Sequence, residues 1–446
     1  MSVHQGVERI QSPSTTHAPR VTVGRVLRRA TWALTLVVAL AALGAAVPSA
    51  QQQRAAALVM TTAGWTFDIT GWMAAALWDK AQTAVTRPAA GIDAAAGADM
   101  VRAYLDRAAA IREAEADIEA LFAAGDGGTP AAQALQARLD ALRTEQDAVR
   151  STVEQIIERQ VGGELARRGL GFAGASFPPV QFTFVEPPKK LVVSPRDRIA
   201  TVHYRMLQPA FSTADAEATE ATITADFDLS AYVTRIGGLG AYPSMVIDRG
   251  DIPWIMSTVA HEWTHNYLTL FPLGLSYNRS PQLTTINETV AEIVGNEVGA
   301  AVVARYYPEF APPGDDVEAS SKEAGTRPAI DLPPSGPTPF DFRTEMRRTR
   351  LLVDRLLAEG RIEDAERYME QQRQQFVANG YPIRKLNQAY FAFHGSYGTS
   401  AASTDPLVPL LFQLRDQSAD TRAFLRSVRG VTSSEQIAGL LKKSDS

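Results

Sequence analysis

The sequence predicts an α+β protein in which an apolar N-terminal helix and a helical hairpin precede a small β-sheet and a mainly helical C-terminal region. Four observations support this prediction. Residues 30–47 are almost wholly apolar, and residues 98–170 repeat apolar side chains at heptad-like spacing. Residues 180–206 alternate with the period of two that is typical of strands, and helical patterning resumes after residue 251.

The composition restricts the classes of function. The 446 residues contain 44 Lys and Arg against 49 Asp and Glu. The resulting net charge is −5, whereas a general nucleic-acid binder has an excess of basic residues. Cysteine is absent, which excludes disulfides, cysteine-bound zinc, iron–sulfur clusters and a cysteine nucleophile. Any metal must therefore be held by Asp, Glu or one of the six histidines.

The N-terminus predicts a membrane anchor. A basic tail at residues 1–29 precedes the apolar run at 30–47, which is 18 residues long. As a helix this run rises about 27 Å, close to the hydrocarbon thickness of a bilayer, and the arginines before it favour a cytoplasmic N-terminus. We expect an uncleaved single-pass signal anchor in the cell membrane, with the remaining chain extracytoplasmic. A signal peptide cut near residue 50, which would make the chain secreted, and a buried soluble helix are the alternatives.

Two further segments precede the sheet. Residues 55–80 are apolar and contain Trp65, Trp72 and Trp78, which favours either a segment at the membrane interface or a core helix. Residues 98–170 predict a helical hairpin with a glycine-rich turn at 125–130. This hairpin serves either as a spacer or as a partner surface.

The sheet and the regions after it follow from pattern and composition. Strands are expected at 180–185, 191–193, 199–206 and 222–229. Residues 311–340 are rich in Pro, Gly and acidic side chains, which predicts a flexible insert. The C-terminal region at 341–446 is expected to be helical.

A short motif carries the chemistry. Residues 261–265 read His-Glu-Trp-Thr-His. Positions i and i+4 of a helix share a face, so His261 and His265 can present two imidazoles to one Zn²⁺. Glu262 then lies beside the metal, where it can take a proton from an activated water. Asp251 and Pro253 are suited to cap the start of this helix.

A second helix offers a third ligand. Glu288, Glu292 and Glu297 lie in an otherwise apolar segment, where carboxylates are costly unless they are paired or bound to a metal. Glu288 and Glu292 share one face. Gly295 and Gly299 would allow close packing against another helix.

The two motifs together resemble the gluzincin metallopeptidases, the clan of thermolysin-like enzymes and aminopeptidases. His-Glu-Trp-Thr-His is followed 23 residues later by Glu288 within Asn-Glu-Thr-Val-Ala-Glu. The resemblance implies that His261, His265 and Glu288 bind zinc and that Glu262 is the general base. It further implies that the Glu292 carboxylate accepts a hydrogen bond from a ligand histidine.

Other segments extend the resemblance. A metzincin would need another histidine soon after the motif, and residues 266–274 contain none. In gluzincins an edge strand before the motif binds the substrate backbone, and the Gly-rich segment at 237–240 either forms such a strand or is an ordinary turn. The layout after residue 342 is loosely similar to a bacterial family of predicted aminopeptidases.

A peptidase also needs a hydrogen-bond donor for the oxyanion, and gluzincins use Tyr or His. We expect His394 and Tyr397 to contribute to catalysis in this way. Tyr277, between the two motifs, and Tyr390 are the competing candidates.

The sequence therefore predicts a membrane-anchored, zinc-dependent peptidase with a zincin-like catalytic domain at 177–310 that is completed by 341–446. Its partner would be a peptide or protein substrate, and the choice between exopeptidase and endopeptidase stays open. The alternatives are a non-catalytic membrane protein with a structural zinc site and an inactive peptidase scaffold. Three protein ligands beside an intact Glu262 favour the enzyme, because structural zinc sites are usually closed by a fourth ligand.

Overall fold

The computed structural model describes residues 50–311 and 340–444, except Gly125 and Gly127, together with residues 31, 32, 34 and 35. The predicted anchor at 30–47 thus lies outside the described residues, apart from those four, and so does the tail at 1–29. The insert at 311–340 also lies outside them, apart from its two end residues. Within the described part of the chain, no helix is long and apolar enough to cross a membrane.

The chain divides into two compact units, Met1–Ala57 and Leu58–Ser446. The second unit contains the sheets and every candidate site residue. The α-helices that the structure describes are, in chain order, α1 (Ala50–Met60), α2 (Ile69–Thr86), α3 (Ala94–Ala123), α4 (Pro130–Arg167), α5 (Thr213–Phe227), α6 (Ile252–Leu268), α7 (Pro272–Leu275), α8 (Pro281–Tyr306), α9 (Phe342–Ala358), α10 (Ile362–Ala378), α11 (Gln388–His394), α12 (Leu407–Asp416), α13 (Thr421–Val428) and α14 (Glu435–Ser444). Short 3₁₀ turns lie at Ala63–Trp65 and Pro308–Phe310.

The strands form small sheets between these helices. They are β1 (Gly171–Phe172), β2 (Ala175–Ser176), β3 (Phe182–Phe184), β4 (Lys189–Pro195), β5 (His203–Leu207), β6 (Leu229–Thr234), β7 (Gly238–Leu239) and β8 (Ser244–Val246). One three-stranded sheet has the order β5-β4-β6 and is antiparallel throughout. The other has the order β3-β8-β7, with β3 parallel and β7 antiparallel to β8. The predicted α+β class is confirmed.

One strand prediction was wrong. Residues 222–229 belong mostly to α5, and only the last of them begins β6. The Ser212 side chain accepts a hydrogen bond from the N–H of Asp215, and the Asp215 carboxylate accepts one from the N–H of Ser212. This capping box fixes the start of α5. Ile223 and Phe227 then lie one helical turn apart and are buried against the β5-β4-β6 sheet. The alternation of Ile, Ala and Phe in this segment therefore reflects a helix face.

The predicted hairpin is confirmed as α3 and α4, and its base is part of the main hydrophobic core. Val153, Ile157 and Val161 on α4 are fully buried, in one cluster with Ile255 and Val259 of α6. Since this cluster also includes apolar side chains of α8, α12 and α13, the hairpin supports the helices that carry the motif.

The apolar segment at 55–80 contributes to both core and surface. Leu58 is buried, and the Trp65 ring packs edge-on against Phe211 with their centroids 5.2 Å apart. Trp78 on α2 is 66% exposed, and Leu77 beside it is 42% exposed. Part of this segment is therefore core structure, as in the second of the two predicted alternatives.

A buried ionic cluster joins α2, α4 and β3. Lys80 donates to Glu154 and Glu158 on α4, at 2.8 Å each. The same two carboxylates accept hydrogen bonds from the backbone N–H groups of Phe184 and Phe182. Although burial disfavours a charged ammonium, the two carboxylates raise the pKa of Lys80. The cluster thus holds strand β3 on helix α4.

We predict that Lys80→Met destabilises the protein by about 3 to 5 kcal/mol, because it leaves two carboxylates buried without their cation. Chemical denaturation of the purified chain measures this change. Arg143→Met is the control, since Arg143 pairs with Glu115 on the exposed side of the hairpin and its loss should cost under about 1 kcal/mol. Equal effects of the two substitutions would contradict the role given to the cluster.

Candidate metal centre

Helix α6 carries the His-Glu-Trp-Thr-His motif as expected. The Asp251 side chain accepts a hydrogen bond from Trp254 N at 2.9 Å, and Pro253 lies in the first turn. Ile255, Val259 and Trp263 bury one side of the helix in the main core. This packing fixes the rotation of α6, so that both motif histidines face helix α8.

Helix α8 crosses α6 at very short range. A methyl group at Gly295 would lie 2.8 Å from Ser257 O and 2.9 Å from His261 Cβ. At Gly299 it would lie 2.5 Å from Ser257 Oγ. Any larger residue would push the helices apart, so the prediction that Gly295 and Gly299 permit close packing is confirmed.

This crossing brings His261, His265 and Glu288 together. The two histidine Nε2 atoms are 3.0 Å apart. Glu288 Oε2 lies 3.5 Å from Nε2 of His261 and 3.7 Å from Nε2 of His265. Among the residues that the structure describes, these three form the only group of three or more His and carboxylate side chains close enough to share a metal ion.

The donor set fits zinc. Tetrahedral zinc with bonds of about 2.0 to 2.1 Å separates its ligand atoms by roughly 3.4 Å, and the three observed distances bracket this value. Glu288 Oε2 is buried without a hydrogen-bond partner. A buried carboxylate oxygen is costly in that state, so its position among two imidazole nitrogens favours a cation at their centre.

Neighbouring side chains orient the ligands. The Nδ1–H of His265 donates to Asn287 Oδ1 at 2.8 Å, which leaves the Nε2 lone pair directed at the centre. The Tyr277 hydroxyl donates to Glu288 Oε1, leaving Oε2 as the free oxygen. One polar partner therefore sets the direction of each of these two ligands.

The charges of the cluster are strongly coupled. Burial disfavours the charged forms of Glu288 and His265. The two imidazoles nevertheless hold the pKa of Glu288 well below its usual range. The Glu288 carboxylate in turn raises the pKa of His265 to about 9. The negative carboxylate therefore attracts positive charge to this point, whether as a proton or as a metal ion.

Glu262 lies beside the cluster under strand β7. The carboxyl is 95% buried, and this burial raises its pKa, while the neighbouring imidazoles oppose the rise. A methyl group at Gly238 would lie 2.3 Å from Glu262 Oε1, and one at Gly240 would lie 2.9 Å from His265 Cβ. The glycines thus let the edge strand β7 pass directly over the motif.

Of the two alternatives for residues 237–240, the structure contains the edge strand, as β7. Gly237 lies against the Trp254 ring, and Gly238 and Gly240 lie against helix α6. The absence of side chains at these glycines makes room for the Trp254 ring and for the Glu262 and His265 side chains of α6. Gly238, Leu239 and Gly240 still line a cleft of about 250 Å³ that also exposes His261 and Glu262.

The structure separates His394 and Tyr397, the two residues expected to stabilise the oxyanion. Tyr397 lines the cleft with the motif residues. Burial and the nearby carboxylates of Glu288 and Glu262 raise its pKa well above the usual value, so its hydroxyl stays protonated. No described residue forms a hydrogen bond with that hydroxyl.

His394 does not line the cleft. Its ring packs between Tyr390, at 4.2 Å between centroids, and Phe393, at 4.9 Å, against the aromatic face of β6. Burial alone lowers its pKa to about 3. The structure thus places His394 away from the cleft, because helix α11 turns this ring, with Tyr390, toward Tyr232 of the sheet. A catalytic role for His394 stays a prediction.

Glu292 also differs from its prediction. Its carboxylate accepts hydrogen bonds from the N–H of Thr399, at 3.0 Å, and from the Thr399 hydroxyl. The hydrogen-bond acceptor of the ligand His265 is Asn287. Burial raises the pKa of Glu292 to about 7, against the two Thr399 bonds and the charge of His261. Glu292 instead anchors the loop that carries Tyr397.

Three site residues were missed by sequence reasoning. Asn287 directly precedes Glu288, so the Asn-Glu pair already contained its signal. Thr399 and Lys190 reach the site from distant parts of the chain, and no local pattern indicates either. Glu297, the third acid of α8, lies elsewhere and pairs with Arg415 and Thr421.

Comparisons with protein-family models, with curated proteins and with solved structures find no match to this chain.

Proposed function

We propose that this chain is a zinc-dependent peptidase of the gluzincin type. The observation that supports the proposal is the convergence of His261, His265 and Glu288 within reach of one ion, at the floor of an open cleft. Three protein ligands and an open side are the arrangement of a catalytic zinc site. When bound there, zinc polarises a carbonyl and lowers the pKa of water.

The residues of the chain have distinct roles in this proposal. Glu262 accepts a proton from the attacking water and returns it to the leaving amine, a task that suits a carboxyl whose pKa is raised by burial. The substrate backbone lies along β7, which is at the edge of its sheet and lines the cleft. Its scissile carbonyl then faces the three ligands.

Tyr397 is the preferred donor to the oxyanion. The Tyr277 hydroxyl already donates to Glu288, whereas the Tyr397 hydroxyl faces the cleft without a partner among the described residues. Tyr397 is therefore assigned to the reaction, and Tyr277 to the position of the Glu288 carboxylate.

We also propose that residues 30–47 anchor the chain in the cell membrane with the peptidase outside the cytoplasm. The basic tail and the length of the apolar run support this placement. Secretion after cleavage near residue 50 is the competing possibility.

We predict that the full-length chain binds one zinc ion and hydrolyses members of a peptide library. Glu262→Gln should keep the zinc and lower kcat by about 10²- to 10⁴-fold, because only the proton acceptor is lost. Metal analysis and product identification measure both effects. Product ends also separate exopeptidase from endopeptidase action.

The matched control is Glu119→Gln, an exposed carboxylate on the hairpin, which should change neither zinc content nor turnover. Absence of zinc from the wild type would refute the metal centre. Zinc without hydrolysis of any peptide would instead favour a structural site or an inactive peptidase scaffold.

Tyr397→Phe and Tyr277→Phe should have different effects. We expect Tyr397→Phe to lower kcat by about 10²- to 10³-fold with an unchanged KM, since it removes a donor needed only in the transition state. Tyr277→Phe should weaken zinc binding by about tenfold or more, because the Glu288 carboxylate loses its orienting bond. Steady-state kinetics and chelator competition test these expectations. The reverse pattern would assign the oxyanion to Tyr277.

We predict that the full-length chain remains in the membrane fraction at its uncut mass after alkaline extraction. A chain lacking residues 30–47 should be released, because an apolar helix of that length supplies the binding energy. Immunoblotting of the fractions makes the measurement. A shorter wild-type chain in the medium would show that the segment is cleaved.

A further inference from the structure

A second, larger cavity adjoins the metal cleft. It has a volume of about 790 Å³ and runs between the β5-β4-β6 sheet, helix α11 and the C-terminal helices. Lys190, Tyr204, Tyr277 and Asn278 line both cavities. The two spaces are therefore neighbouring parts of one groove, and these four residues mark the place where they meet.

Lys190 reaches this place from the middle of the sheet. Strand β4 alternates its side chains, and Leu191 and Val193 pack toward helix α5. Val192, on the opposite face, packs against Ala389 and Phe393 of α11. Lys190 shares that second face. Its ammonium lies 5.3 Å from the centroid of the Tyr204 ring and 5.5 Å from that of Phe393.

The ammonium of Lys190 lacks an anionic partner within the described part of the chain. No carboxylate there lies within 4 Å of it, and it forms no hydrogen bond. Of the neighbouring and buried lysines, Lys189 donates to Phe211 O, and two others pair with carboxylates. Lys80 pairs with Glu154 and Glu158, and Lys385 pairs with Glu217 and Glu220.

Leaving Lys190 without a partner has an energetic cost. Burial lowers its pKa, and only the longer-range attraction of Glu288 opposes this shift. Two arginines near the groove differ from Lys190 in their surroundings. Arg350 is held by Asp354 at 2.9 Å and by Ala402 O, and Arg279 is exposed at the groove.

We infer that Lys190 binds a carboxylate of the peptide substrate and thereby selects peptides that carry a negative charge next to the scissile bond. The inference rests on the proposed function, since it names the substrate class of the same cleft. The carboxylate belongs either to an acidic side chain or to the C-terminus of the peptide. The two aromatic rings beside the ammonium attract it, and its partial burial strengthens the pairing with an anion.

The test measures binding separately from hydrolysis. Zinc-loaded, full-length Glu262→Gln is titrated calorimetrically with alanine-based octapeptides that carry one Glu or one Gln at each position in turn. Each peptide is made with a free and with an amidated C-terminus. A preference for Glu over Gln identifies a side-chain carboxylate, and a preference for the free C-terminus identifies the terminal one.

We expect a carboxylate in the preferred place to tighten binding about 10- to 100-fold, the value of a charged hydrogen bond. Adding Lys190→Met should abolish the preference, and Lys190→Arg should retain it. Arg279→Met is the control and should also retain it. Lys190→Met removes no ion pair, so its Tm should equal or exceed that of the parent, which separates loss of binding from loss of fold.

The inference is overturned if no carboxylate is preferred or if the preference survives Lys190→Met. Hydrolysis by the wild type, assayed on the same peptides, tests the proposed function independently. Hydrolysis without a Lys190-dependent preference refutes the inference alone. A Lys190-dependent preference without hydrolysis supports the anion site and refutes the peptidase.

Discussion

The contact between helices α6 and α8 is the constraint on which the candidate metal centre depends. Gly295 and Gly299 let α8 approach the backbone of Ser257 and the Cβ of His261, as no side chain would allow. At this separation the carboxylate of Glu288 reaches both motif imidazoles. A larger residue at either glycine would widen the crossing and move Glu288 away from the shared point. Helix spacing, rather than the motif alone, therefore decides whether three ligands can act together.

Polar groups around the cluster then restrict it to one arrangement. Asn287 fixes the ring of His265, and Tyr277 fixes the carboxylate of Glu288. The N–H of Thr399 donates to Glu292, which lies one turn after Glu288 on α8. This bond holds the loop that carries Tyr397, a residue that lines the cleft. These bonds all come from residues of the fold around the cluster. Preorganisation of this kind lowers the free-energy cost of binding an ion and of positioning a reacting group.

Local features of this chain were predictable, and long-range ones were not. His261 and His265 follow from helical periodicity, and the cost of a buried carboxylate pointed to Glu288. The surroundings of His394 could not be predicted, because the direction of its ring depends on the packing of α11 on β6. Sequence reasoning failed for residues 222–229, where alternating apolar side chains fit either a strand or the capped helix α5. Thr399 and Lys190 enter the site only through tertiary packing, and a pattern confined to neighbouring residues cannot indicate them.

Ion pairing separates the charged side chains that stabilise the fold from Lys190. Lys80, Lys385 and Arg384 each have carboxylate partners, and these pairs join α2 to α4 and the segment before α11 to α5. Their desolvation is offset within the fold, so they need nothing from outside. Lys190 is held instead by two aromatic rings at the mouth of the metal cleft, and the described residues offer it no counter-ion. A cation kept in such a place stabilises the folded chain less than a neutral side chain of the same shape would. The proposed binding of a substrate carboxylate would supply the counter-charge that the described residues do not.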